Sequence, residues 1–160
     1  YLRTKAPDVV LLQETKIVDE KFPALEIEDL GYNIALLGQR TYNGVAILSK
    51  HPMEDVSRGL PGNTDDEQSR YIEATIKGLR IGSLYLPNGN PLGTEKFDYK
   101  LRWMSRLRDH AQAMLDDEID LVLGGDRNVS PAGADVFYPG PFLELYRIHL
   151  GSDPRPTIGR

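Results

Sequence analysis

The sequence predicts an α+β fold in which helices pack on a mixed, mostly antiparallel sheet. Three observations carry this. Short apolar, β-branched runs recur along the chain, and several alternate with polar residues. Two stretches alone, residues 19–30 and 95–118, read as helical. Clusters of Gly, Pro and Asn separate the segments. The chain has 160 residues, 40% of them hydrophobic and 27% charged, which suits one globular domain. It has no cysteine, so a disulfide framework, a thiolate zinc site and a Cys nucleophile are excluded. No apolar run approaches the roughly 18 residues of a membrane-spanning helix. No apolar signal-peptide core follows residues 1–5. A cytoplasmic monomer with no membrane contact is expected. With a net charge of -5, a nucleic-acid partner would require local basic patches or metal ions.

Taken in order, Val9-Val10-Leu11-Leu12 reads as a buried, central strand. Residues 19–30 read as a helix that Gly31 stops and Pro23 starts or breaks. Residues 32–37 and 44–49 read as strands joined by a polar loop, and 54–58 as a weaker strand. Residues 60–69, rich in Pro, Gly, Asn and Asp, read as an exposed loop. Residues 71–76 and 79–86 alternate like the arms of a hairpin, with Lys77-Gly78 as the turn. Residues 87–91 form another loop. The helix over 95–118 carries an apolar stripe of Phe97, Leu101, Met104, Leu107, Ala111, Met114 and Leu115. Residues 121–125 read as a buried strand ending at Asp126, and the pattern degrades after Pro139.

Two polar clusters lie just past strands. These are Gln13-Glu14-Thr15-Lys16 and Gly125-Asp126-Arg127-Asn128. Loops at strand ends are favoured places for ligand sites. In an extended segment Asp126 and Asn128 share a side, so a carboxylate and an amide could together hold a hard cation and a phosphate oxygen. Gly-Asp-x-Asn equally fits a turn closed by its own side chains. Glu14 could add a second carboxylate if the two strands lie close together. In the long helix, Lys96, Lys100, Arg102, Arg106 and Arg108 crowd the first half and acids close the second, against the helix dipole. Phosphate contacts by Lys96 and Lys100 explain that order, and so do salt bridges to neighbouring loops. Lys16, Arg70 and Asn88 are similar candidates for DNA backbone contacts. His51 and His110 read as structural or surface residues.

Four motifs then occur together: Leu12-Gln13-Glu14-Thr15-Lys16, Tyr42-Asn43-Gly44-Val45-Ala46-Ile47-Leu48-Ser49-Lys50, Tyr85-Leu86-Pro87-Asn88-Gly89 and Gly124-Gly125-Asp126-Arg127-Asn128. In order and spacing they closely resemble exodeoxyribonuclease III, the bacterial apurinic/apyrimidinic endonuclease branch of the endonuclease/exonuclease/phosphatase superfamily. The resemblance implies part of a four-layer α/β-sandwich over residues 1–136, with 137–160 a divergent tail. It implies magnesium-dependent (or manganese-dependent) phosphodiester hydrolysis on double-stranded DNA, as a 3′–5′ exonuclease and at abasic sites in base excision repair. By the same resemblance Glu14 binds the metal. Asp126 handles the nucleophilic water or its proton, Asn128 holds a phosphate oxygen, and Tyr85 lies near the scissile phosphate.

The sequence also departs from the pattern. No match occurs to the family's N-terminal strand with its asparagine, nor to the half-domain that carries its histidine and faces the site. His149 lacks the Ser-Asp-His context. Arg127 stands where an apolar residue is usual, on a face expected to open to water. Weak or absent cutting is therefore expected. The alternatives are an inactive metal- or DNA-binding fragment and a phosphatase of another branch. Pro87-Asn88-Gly89 and Tyr42-Asn43-Gly44-Val45 favour the DNA-repair branch.

Overall fold

The structure, a computed structural model, describes residues 1–129. In chain order the elements are α1 (Leu2–Lys5), β1 (Val9–Gln13), a 3-10 turn (Asp19–Lys21), α2 (Ala24–Glu28), β2 (Asn33–Leu37), β3 (Val45–Ser49), β4 (Glu54–Arg58), β5 (Tyr71–Ile76), β6 (Leu79–Tyr85), α3 (Glu95–Asp116) and β7 (Leu121–Asp126). They build two sheets. The first is antiparallel with strand order β1-β3-β2. The second has the order β4-β5-β6-β7 and is antiparallel except for the parallel pair β6–β7. A parallel pair needs a crossover, and α3 supplies it. Lys77 and Gly78 close the β5–β6 hairpin with φ of 51° and 80°, as a tight primed turn requires.

Strand alternation divides the core into two layers. Ile72, Ala74 and Ile76 of β5 and Ile81 of β6 meet Ala35, Val45 and Ile47 of the other sheet. The opposite face of β5 and β6 presents Tyr71 and Leu84 to Trp103 of α3, with Leu60 and Leu86 beside them. The second layer also encloses charge. Glu73 accepts bonds from Tyr71 Oη (2.6 Å) and Arg80 Nη2 (2.7 Å), and lies 2.9 Å from His110 Nε2. Burial alone would raise the Glu73 carboxyl, but bonds from Tyr71, Arg80 and His110 outweigh it and hold it below 4.5. His110 is thus structural.

Several elements differ from expectation. Among the described residues, 9–12 form an edge strand, half-buried, and the central, fully buried strand is β3. Residues 19–30 are not one helix. The break falls at Pro23, which caps α2 and lacks the N–H a continuing helix would use. β7 pairs only with β6 among the described residues and leaves Val122 46% exposed, so it is not a buried strand. The apolar stripe of α3 is rotated. Trp103 and Lys100 are buried, whereas Leu101 and Leu115 are exposed. The sheet carrying Glu14 packs against the sheet carrying Tyr85 and Asp126. Arg127 is exposed, with Nη2 3.3 Å from Leu123 O. The expected tail 137–160, with His149, lies outside the described residues.

Candidate active site

The C-terminal ends of β1, β6 and β7 come together. Tyr85 is the register partner of Asp126 across β6–β7. Gln13, last in β1, donates to Ser83 Oγ at 3.2 Å, and Ser83 Oγ donates to Leu12 O at 3.2 Å. These two bonds stitch one sheet to the other at the two residues before Glu14. Glu14 and Asp126 thus converge from facing sheets, not from adjacent strands.

Glu14 leaves β1 at φ 53°, followed by Lys16 at φ 54°. Such φ values are costly for non-glycine residues and are tolerated where the surroundings fix them. Here Thr15 N bonds Gly44 O (3.3 Å) and Lys16 N bonds Asn43 O (3.0 Å). Gly44, at φ 89°, cannot carry a side chain, because a Cβ would sit 2.0 Å from Thr15 Oγ1. The Asn43-Gly44 motif therefore shapes the seat of Glu14. Lys16 Nζ lies 2.6 Å from Glu14 Oε2, and both side chains are largely exposed. That hydrogen bond, more than those from Tyr85 or the charge of Arg70, holds the Glu14 carboxyl below its usual range.

Tyr85 is raised above its usual range by burial first and by Glu14 next, so it stays a neutral hydroxyl near pH 7. Arg70 covers it. The guanidinium lies 4.8 Å from the ring centroid, Nη1 donates to Tyr85 O at 3.2 Å, and Nε donates to Gln68 Oε1 at 2.6 Å.

Asp126 ends β7. Its Oδ1 accepts Asn128 N–H at 2.8 Å, and Asn128 sits at φ 45°. The turn reading of Gly-Asp-x-Asn is therefore realised, closed by the Asp126 side chain. Asn128 Nδ2 donates one hydrogen to Leu86 O at 2.7 Å, leaving the second hydrogen free of that bond. Asp126 similarly keeps Oδ2 outside the turn.

A cavity of about 490 Å³ opens beside this edge, lined by Gln68, Arg70, Asn88, Asn90, Lys96 and Tyr99 among others. Arg70, Asn88 and Lys96, expected to contact DNA phosphates, thus share one wall system. Lys16 stands apart on the Glu14 side. Lys100 does not face the cavity as a cation. It is 0% exposed, and Nζ donates to Asn88 O (3.1 Å) and Asn128 O (2.8 Å). The expectation of a phosphate contact fails there, because the ammonium is spent on carbonyls. Arg106 is also taken up internally, by Asp66 at 2.8 Å and by Leu60 O, so part of the basic crowding on α3 is salt bridging. Gln68 and Asn90 carried no motif signal; a polar loop gives none until it folds over a helix.

The sequence profile of the Endonuclease/Exonuclease/phosphatase family matches residues 1–158. The chain belongs to that family. The matched span of the family runs past Val136, where the short motifs fade. Exodeoxyribonuclease III of Haemophilus influenzae is 34% identical over 135 residues, which is 81% of this chain and 51% of that protein. A solved 3′ phosphatase, NExo from Neisseria, bound to a product DNA hairpin, is 40% identical with a TM-score of 0.82, over 86% of this chain and 54% of that one. An AP endonuclease from Archaeoglobus fulgidus is 35% identical with a TM-score of 0.80, over 94% and 63%. The chain spans about half the length of the curated family relative it matches.

Proposed function

We propose that this chain carries the catalytic edge of a divalent-metal-dependent phosphodiesterase that cuts double-stranded DNA, including at abasic sites. The observation that carries this reading is the meeting of Glu14, Tyr85, Asp126 and Asn128 where strands of two facing sheets end, beside a cavity walled by Arg70 and Lys96. The names of the relatives, which are DNA nucleases, support the same reading.

The donor set fits magnesium. Glu14, Asp126 and Asn128 offer oxygens, and magnesium asks for one or two carboxylates plus waters. No cluster of three His, Cys, Asp or Glu that could hold a metal occurs among the described residues. Lys16 would have to leave Glu14. The pair is exposed and screened by water, so its release is cheap. Glu14 would hold the cation, which when bound polarises a phosphoryl oxygen and offsets charge on the leaving oxygen.

The chain's own groups do the rest. Asp126 takes a proton from the attacking water on Oδ2, the oxygen its turn leaves open. Asn128 presents its second amide hydrogen to a phosphate oxygen, held in place by the first. Tyr85, kept neutral, donates its hydroxyl hydrogen toward the phosphate. Arg70, Asn88 and Lys96 hold neighbouring backbone phosphates, and Lys16, once free, does so on the other side. The reading includes exonucleolytic and abasic-site cutting by a monomer, at a slow rate because the Ser-Asp-His motif has no counterpart.

A nicking assay on a duplex with one abasic site tests this. Slow cutting in magnesium (or manganese) that stops with chelator and in Glu14→Gln is expected. Cutting that survives either, absence of any cutting, or faster turnover of a phosphoinositide would overturn it.

A further inference from the structure

Lys100 is a costly residue for its place. Its side chain is wholly buried on α3, one turn from Phe97 and Trp103. Its ammonium makes no ion pair among the described residues and is satisfied by two backbone carbonyls, Asn88 O at 3.1 Å and Asn128 O at 2.8 Å. Taking an ammonium out of water carries a penalty of several kcal/mol, which an apolar side chain of similar length would avoid. Stability alone is thus a poor reason for lysine here. The two carbonyls belong to different segments. One lies in the loop after β6, which lines the cavity through Asn88. The other belongs to the turn after β7, where Asn128 N–H already grips Asp126. The lysine stem completes the joint. At Gly89, φ 77°, an added Cβ would sit 2.6 Å from Lys100 Cδ, so loop and stem are in contact with no room for a side chain.

We propose that Lys100 is a positioning residue: its buried ammonium ties the loop carrying Asn88 to the turn carrying Asp126 and Asn128, and so fixes the phosphate end of the site. The catalytic consequence rests on the phosphodiesterase reading above; the tie itself does not.

Two variants test it in the intact chain. Lys100→Met keeps the stem and loses the donors. Lys100→Arg keeps cation and donors. Amide hydrogen exchange is followed at residues 88–90 and 126–129, and in β5 as a control. In Lys100→Met, exchange should rise about 10-fold or more in both segments together, with β5 unchanged. Lys100→Arg should restore much of the protection. On abasic duplex, kcat should fall about 10- to 100-fold in Lys100→Met with KM within about two-fold. Exchange that rises in one segment only, or in neither, overturns the tie. Equal loss of protection in both variants also overturns it, since side-chain volume and not the donated bonds would then matter. A raised KM at unchanged kcat overturns it in favour of direct DNA contact. If wild type does not cut, the phosphodiesterase reading fails, and the exchange pattern still decides Lys100.

Discussion

Single residues show how strongly context sets role. Glu14, Asp126 and Asn128 stand out in the sequence because each lies at or just past a strand end, and strands hold their ends rigidly. Lys100 was legible as a cation but misread as a contact. The missed signal was its position on the stripe through Phe97 and Trp103, which a buried lysine shares with apolar neighbours. Glu73 is a second buried charge, and it makes pH a probe of the core. Its carboxyl titrates below 4.5 when folded, so it stabilises the fold above that pH and the contribution is lost as pH falls through the folded value. Thermal melts of wild type should therefore drop on acidification below about pH 4.5, following the ordinary glutamate range. Glu73→Gln should show a shallower acid limb and lower stability at pH 7. An unchanged acid limb in Glu73→Gln would place the sensitivity elsewhere.

At the scale of elements, loops and not strands set the site. The strands were readable from alternation, and all seven described strands fall within a residue of their expected ends. Their burial was less readable, since edge or centre depends on partners that a single strand does not encode. Val9–Gln13 illustrates this: an apolar run that could fill a central position is instead half-buried at an edge. The loop over residues 60–69 is held onto α3 by Asp66, which accepts from Arg106 Nη1 at 2.8 Å and from Tyr99 Oη at 2.9 Å. Arg106→Ala leaves a largely buried carboxylate with one donor fewer, so a loss of about 2–3 kcal/mol is expected in urea unfolding. DNA affinity should weaken with it, since Gln68 and Arg70 follow that loop. The Glu14 seat is similarly dependent on Gly44. Gly44→Ala must find space for a Cβ at a positive φ, and should destabilise by about 1–3 kcal/mol. A Gly44→Ala protein as stable as wild type would show that this turn is softer than its contacts imply.

For the whole molecule, two packed sheets and one crossover helix bring an acidic chain to a local basic wall. Net charge of -5 opposes a polyanion, so binding must come from that wall and from metal. DNA affinity should then fall steeply with salt, and Arg70→Ala should flatten the log–log slope by about 1 while weakening all sequences alike. The proposed site's residues stand out one by one in the sequence; their placement does not, because Glu14 and Asp126 sit on opposite sheets of the sandwich and only packing shows which sheet faces which. Phosphodiester cleavage at this meeting point is tested by single-turnover cleavage of a duplex with one abasic site, in magnesium, by wild type and Asp126→Asn. Wild type should cut, and the variant should be slower by about 10²–10⁴-fold, down to the level seen with chelator, with DNA affinity kept. Cutting by Asp126→Asn at the wild-type rate would contradict it.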